Sequence, residues 1–90
     1  MEKLEAFEDI LKKFHLTRSE ICYIGDDLVD LPILKRAGFP VAVHNAVFEV
    51  KREASFVTGR EGGRGAVREV IELILRAKGE WNKIIGSYSV

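Results

Sequence analysis

The chain is poor in the residues that staple or break structure. Its ninety residues include one cysteine, two prolines, one tryptophan and one methionine. The lone thiol, Cys22, cannot close an internal disulfide, which points to a reducing compartment and a cytoplasmic protein. Charge of either sign is not in excess, since 14 basic residues balance 14 acidic ones. That balance removes the long-range field by which nucleic-acid and anionic-membrane binders find their partners, so neither partner is expected. No apolar run approaches the ~20 residues that span a bilayer. The N-terminal segment Met1–Phe7 lacks the apolar core of a signal peptide. A Gly-Lys-Ser/Thr sequence is missing as well, which excludes a standard P-loop.

What is present reads as one small globular domain, 47% apolar and 31% charged. Leu4, Phe7, Ile10, Leu11 and Phe14 recur at helical spacing, which predicts a helix from Lys3 to Phe14. Thr17-Arg18-Ser19-Glu20 has the form of a capping box. Ile21–Ile24 and Pro40–Val43 are short apolar runs bounded by turn signals, and read as strands; Ser55–Thr58 is a third. Leu28, Ile33, Leu34 and Ala37 predict a helix between the first two strands, with Pro32 in its first turn and Gly38 as its stop. Asn45 is positioned to cap a helix over Ala46–Glu53, and Ala66, Val67, Val70, Ile71, Ile74 and Ala77 form the stripe of a last helix. Alternating helices and strands predict an α/β layer with parallel strands joined by right-handed crossovers.

The first strand ends in Gly25-Asp26-Asp27-Leu28-Val29-Asp30, three carboxylates within five residues. Open α/β sheets place ligands at the C-terminal ends of their strands. Crowded carboxylates repel one another unless a cation or basic group joins them. Acids in a first helical turn also stabilise its positive end, by about 0.3–1 kcal/mol each, and Asp27 and Asp30 fit that simpler role. Asp26 lies outside the capping pattern, so the cluster reads as a Mg²⁺ site. Because Mg²⁺ keeps water and commonly takes only one or two carboxylates, Asp26 is the direct ligand. Asp27 and Asp30 orient waters and neighbouring loops.

Three segments together resemble one family: Tyr23-Ile-Gly-Asp-Asp-Leu-Val-Asp30, then Gly38-Phe-Pro-Val-Ala-Val43 with Asn45-Ala46, then Gly62-Gly-Arg-Gly-Ala-Val-Arg-Glu69. Lys3 through Arg68 resembles the C-terminal half of a haloacid-dehalogenase-superfamily phosphatase. Within it, the likeness is to the compact, capless 3-deoxy-D-manno-octulosonate 8-phosphate phosphatases. Phosphatase-like domains fused to acylneuraminate cytidylyltransferases are a near alternative. The resemblance implies a partial Rossmann-like three-layer α/β fold with about three parallel strands and flanking helices. It assigns residues 1–81 to the C-terminal portion of the phosphatase domain and 82–90 to a tail.

The same resemblance implies Mg²⁺-dependent hydrolysis of a sugar-acid phosphate by the complete protein, within lipopolysaccharide biosynthesis. The implied partners are a homotetramer or a complementing N-terminal half. Lys3-x-x-x-Phe7 resembles the start of the family's third motif, whose lysine contacts phosphate and the nucleophile. Its ammonium would offset charge that builds during phosphoryl transfer. The family's nucleophile is an aspartate in an Asp-x-Asp sequence on a first strand. No such sequence occurs among Asp9, Asp26, Asp27 and Asp30, so the ninety residues alone are expected to be inactive. In the family the Asp26 strand lies beside that first strand, so Ile21–Ile24 is expected to form an open edge. A catalytically silent assembly or regulatory module is the competing expectation. A phospho-receiver domain is rejected because no aspartate follows Asp30.

Other features carry lesser expectations. The amides around Gly59, Gly62, Gly63 and Gly65 are placed to cradle an anion or simply to make a sharp turn. Arg60 and Arg64 are candidates for binding a sugar-acid carboxylate or a neighbouring subunit. Arg68 is spaced to pair with Glu72. His15 and His44 lack a matching ligand set and read as structural or solvent-facing, and Cys22 reads as a core side chain. Trp81, Ile84 and Ile85 are expected to extend the last helix or dock on a partner.

Overall fold

A computed structural model describes residues 2–78. The elements run α1 (Glu2–Lys13), β1 (Cys22–Gly25), α2 (Leu31–Leu34), β2 (Phe39–Ala42), α3 (Phe48–Glu53), β3 (Phe56–Val57) and α4 (Ala66–Ala77). Single 3₁₀ turns at Arg18–Glu20 and Leu28–Asp30 lead into β1 and α2. The expected tail and the residues Trp81, Ile84 and Ile85 lie outside the described residues.

Periodicity sets α1. Phe7 and Leu11 are buried against Ile33, while Lys12 and Lys13 occupy the last turn, where cations suit the helix dipole. Its end closes with the Leu16 amide on the Leu11 carbonyl at 2.9 Å and the His15 amide on that of Lys12 at 3.3 Å. His15 takes φ 56° there, a left-handed position that glycine usually fills. Next, the Thr17 amide donates to Glu20 Oε1 at 2.9 Å, which is the predicted capping box.

The three strands are parallel, in the order β1-β2-β3, with Cys22 opposite Phe39, Ile24 opposite Val41, and Val41 opposite Phe56. The Phe39 amide reaches the Ile21 carbonyl at 3.0 Å, and the Val43 amide reaches Gly25 at 3.2 Å. Odd residues of β1 therefore turn their peptide groups toward β2. By strand alternation, Cys22 and Ile24 turn theirs toward an edge that no other described strand covers. One apolar cluster joins Leu34, Ala42, Val43, Ala46, Val50 and Ala66, and another joins Phe7, Leu11 and Ile33; the Tyr23 ring packs on both. This is the expected partial Rossmann-like α/β arrangement, a parallel sheet flanked by helices.

Several local expectations are corrected. The strands begin and end one residue from their predicted limits, as element ends commonly do. The helix expected from Leu28 to Ala37 is a 3₁₀ turn followed by one short turn of α-helix, Leu31–Leu34, with Pro32 near its start. Gly38 is not a left-handed stop: a Cβ there would stand 2.4 Å from the Ser19 carbonyl oxygen, so close backbone approach demands glycine. Asn45 does not cap α3, which begins after Val47. Glu72 pairs with Arg76 at 2.7 Å rather than with Arg68, the four-residue spacing being open to either side.

Candidate active site

Parallel strands bring their C-terminal ends to one edge, and the loops leaving them are tied together there. The Val47 amide donates to the Asp26 carbonyl at 3.1 Å. The Gly62 amide donates to Asn45 Oδ1 at 2.9 Å, and the His44 amide to Thr58 Oγ1 at 3.0 Å. Thr58, only 1% exposed, donates its own hydroxyl hydrogen to the Arg60 carbonyl. The acid turn, the Asn45 loop and the glycine-arginine loop thus form one hydrogen-bonded rim.

Within the rim, the three acids have separate roles. Asp30 is 3% exposed and accepts from four donors. Lys3 Nζ at 3.0 Å and the Tyr23 hydroxyl at 2.8 Å both meet its Oδ1. The Asp26 and Asp27 amides meet its Oδ2 at 3.0 and 3.2 Å. A carboxylate offers about four lone-pair sites, so these donors saturate it. Burial alone pushes the Asp30 carboxyl up; the Asp26 amide, Lys3, Tyr23 and the Asp27 amide outweigh it and hold the group well below the usual carboxylate range. Burial first, then the bond to Asp30, pushes the Tyr23 hydroxyl up to about 12.

Asp27 caps the 3₁₀ turn, its Oδ1 accepting from the Leu28 amide at 2.7 Å. Asp26 is exposed, and its carboxylate accepts no hydrogen bond from the described residues. It is the carboxylate of the three with oxygens open to a hard cation. Among the described residues no three His, Cys, Asp or Glu side chains gather closely enough to hold a metal by themselves. Asp26 therefore fits a cation that takes one carboxylate here and the rest of its oxygens from water, substrate or other groups.

Glycine makes this geometry possible. A Cβ on Gly25 would stand 2.9 Å from both Asp30 Cβ and Leu34 Cδ1, so a side chain at the strand tip would push Asp30 out of its seat.

The structure joins Lys3 to Asp30 directly and to the amides of Asp26 and Asp27 through it. It does not bring Arg60 or Arg64 into contact with them. Arg60 instead borders a groove of about 540 Å³ lined also by Phe56, Arg68 and Leu73, which excludes Lys3, Asp26 and Asp30. An anion cradle on the glycine loop is largely pre-empted. The Gly59 and Arg60 amides donate to Glu69 at 2.8 and 2.9 Å, and the Gly62 amide is held by Asn45. Sequence reasoning missed Tyr23, Asn45 and Glu69 as organisers of the rim. Tyr23 gave a usable signal, since a tyrosine in a buried strand needs a partner for its hydroxyl.

The model for haloacid dehalogenase-like hydrolases matches residues 1–71. The chain belongs to the haloacid dehalogenase-like hydrolase family. Within that family it is 43% identical over 84 residues to the 3-deoxy-D-manno-octulosonate 8-phosphate phosphatase of Escherichia coli K12, covering 93% of this chain and 45% of that protein. It superposes with a TM-score of 0.92 and 39% identity on the Moraxella catarrhalis 3-deoxy-D-manno-octulosonate 8-phosphate phosphatase, solved with magnesium, phosphate and KDO; the match covers 97% of this chain and 50% of that one. The cobalt-bound Haemophilus influenzae phosphatase matches with a TM-score of 0.82 and 39% identity, over 86% of this chain and 44% of that one. The chain spans about half the length of the curated relatives it matches. Among the described residues of this haloacid dehalogenase-like chain, no helix is long and apolar enough to cross a membrane.

Proposed function

We propose that this chain supplies the cation- and phosphate-facing half of a Mg²⁺-dependent phosphomonoesterase acting on a sugar-acid phosphate, 3-deoxy-D-manno-octulosonate 8-phosphate. The observation that carries this reading is the division of labour among the acids: Asp30 is saturated and holds Lys3, while Asp26 is left open at the strand tip. Asp26 would hold the metal, and Asp27 and Asp30 would shape the turn that presents it. When bound, the metal would offset phosphate charge. Lys3, anchored by one of its protons, would direct the others toward the phosphoryl oxygens. Arg60 and Arg64 remain proposed contacts for the sugar acid. The attacking aspartate is assigned to none of these ninety residues, which contain no Asp-x-Asp.

The working form on this reading is cytoplasmic, and either a homo-oligomer or a complex with an N-terminal half; nucleic acid and membrane are not partners. The β1 edge, which no other described strand covers, favours a second reading, an assembly module without turnover. One assay separates the two. The chain is mixed with the N-terminal half of the E. coli relative, and phosphate release from 3-deoxy-D-manno-octulosonate 8-phosphate is followed with and without Mg²⁺. Turnover in the mixture, none from the chain alone, and its loss in Asp26→Ala are expected. Silence under conditions where the relative's own two halves regain activity overturns the phosphatase reading.

A further inference from the structure

Among the groups at the rim, the Tyr23 hydroxyl has no role in the function just described. It donates to Asp30 Oδ1 at 2.8 Å, the same atom that takes the Lys3 ammonium at 3.0 Å. The two donors differ in what restrains them. The Tyr23 ring packs on both apolar clusters of the domain, so its oxygen is fixed by the core. Lys3 stands in the first turn of α1 with its side chain 53% exposed, and the described contacts hold its head only at Asp30. A long flexible side chain takes its position from its anchor, and the buried anchor Asp30 takes its own from the Tyr23 hydroxyl and the Asp26 and Asp27 amides.

We propose that Tyr23 is a positioning residue: its hydroxyl, sharing Asp30 Oδ1 with the Lys3 ammonium, fixes where that cation stands at the rim. The assignment rests on the reading of Lys3 as the phosphate-facing cation, and it extends the machinery to a side chain that touches neither metal nor phosphate. Two lone pairs serve Oδ1. With the hydroxyl on one of them, the ammonium is confined to the other. Without the hydroxyl, Lys3 gains a second station on the same oxygen and water gains access to it. The Asp26 and Asp27 amides, being on Oδ2, would feel much less.

The test is nuclear magnetic resonance on the ninety-residue chain, observing the Lys3 ammonium, the Asp26 and Asp27 amides, and the Tyr23 ring. Tyr23→Phe keeps the ring in both clusters and removes one charge-assisted hydrogen bond. Solvent exchange of the Lys3 ammonium should rise roughly tenfold relative to Lys12, while the Asp26 and Asp27 amides change by less than about threefold. Unchanged Lys3 exchange in a Tyr23→Phe chain overturns the proposal. Lys3→Met probes the same link from the exposed side without disturbing the core. It should shift the Tyr23 ring carbon bearing the hydroxyl, as that group becomes the lone donor on Oδ1. A ring resonance that does not move also overturns the proposal. Neither readout uses phosphate or metal, so the outcome is distinguishable from failure of the phosphatase assay.

Discussion

Asn45 and Gly62, 17 residues apart, are joined by a 2.9 Å hydrogen bond from the glycine amide to the asparagine side chain. The bond closes the rim by linking the loop after β2 to the loop before α4. Replacing Asn45→Ala deletes the acceptor while leaving the exposed amide to water. A loss of about 1 kcal/mol in stability is expected, read from urea midpoints. Faster hydrogen exchange at Gly62 than at the Gly59 and Arg60 amides should accompany it, because Glu69 still holds those two. Equal acceleration at all three would mean that the loop moves as one piece.

Acid should unpick the Asp30 network. Its carboxyl is held below the ordinary 3.8 in the folded chain, so the unfolded chain takes up the proton first as pH falls. The associated stability is complete above the unfolded value and drains as pH drops through the lower folded one. Urea midpoints measured from about pH 5 down to about pH 2 should fall more steeply in the parent than in Asp30→Asn. Parallel curves would count against the network.

Alkali should act through Tyr23 in the opposite sense. Its hydroxyl rises from 10.0 to about 12 on folding, so the stability it contributes is present below the unfolded value and is lost as pH climbs toward the folded one. The informative quantity is the difference between the parent and Tyr23→Phe, which isolates this one hydroxyl. That difference should shrink between about pH 10 and about pH 12.

Gly25→Ala should separate the acid turn from its anchor. The new methyl would stand 2.9 Å from Asp30 Cβ and from Leu34 Cδ1, inside contact distance. A destabilisation of about 1–3 kcal/mol is expected from overpacking. The diagnostic effect is a coupled shift of the Asp26 and Asp27 amides and the Lys3 ammonium. A purely global loss of stability, with those resonances unmoved, would show that Asp30 keeps its seat.

The outer edge of β1, bare of any other described strand, makes self-association the expected behaviour of the chain on its own. Cys22→Pro is the matching block. The Cys22 peptide group points away from β2, so proline there costs no bond within the described sheet. Ile21, which would precede the proline, already has the extended φ −104°, ψ 129° that proline requires of its neighbour. Sedimentation should show concentration-dependent association in the parent and much less in Cys22→Pro. A parent that stays monomeric with the edge open would refute edge-driven assembly.

Much of the scaffold was legible because local chemistry wrote it. Short apolar runs bounded by turn residues mark β1 and β2, and the apolar stripes of α1 and α4 contain the buried Phe7, Leu11, Ala66 and Val70, although Ile10, Phe14, Val67 and Ile71 of the same stripes are exposed. The acid cluster was equally visible, but the different fates of its members were not. Asp26 is exposed and Asp30 buried, and the Lys3 and Tyr23 side chains that meet Asp30 come from α1 and β1. Side-chain acceptors were misjudged for the same reason. Asn45 carries a helix-capping signal yet serves a distant amide, and Glu72 had two arginines at equal spacing and took Arg76. Gly38 looked like a stop signal because its neighbour Ser19 is near only in three dimensions.

The placement of Asp26 at the tip of a border strand has a thermodynamic corollary. Any strand that docks along Cys22–Gly25 also builds a wall beside that carboxylate, lowering the local dielectric, and would strengthen the hold on a cation that the proposed function gives Asp26. By linkage, a cation that favours the walled state must tighten the docking by the same factor. Divalent ion and neighbouring strand should therefore act as mutual effectors, each reporting the presence of the other.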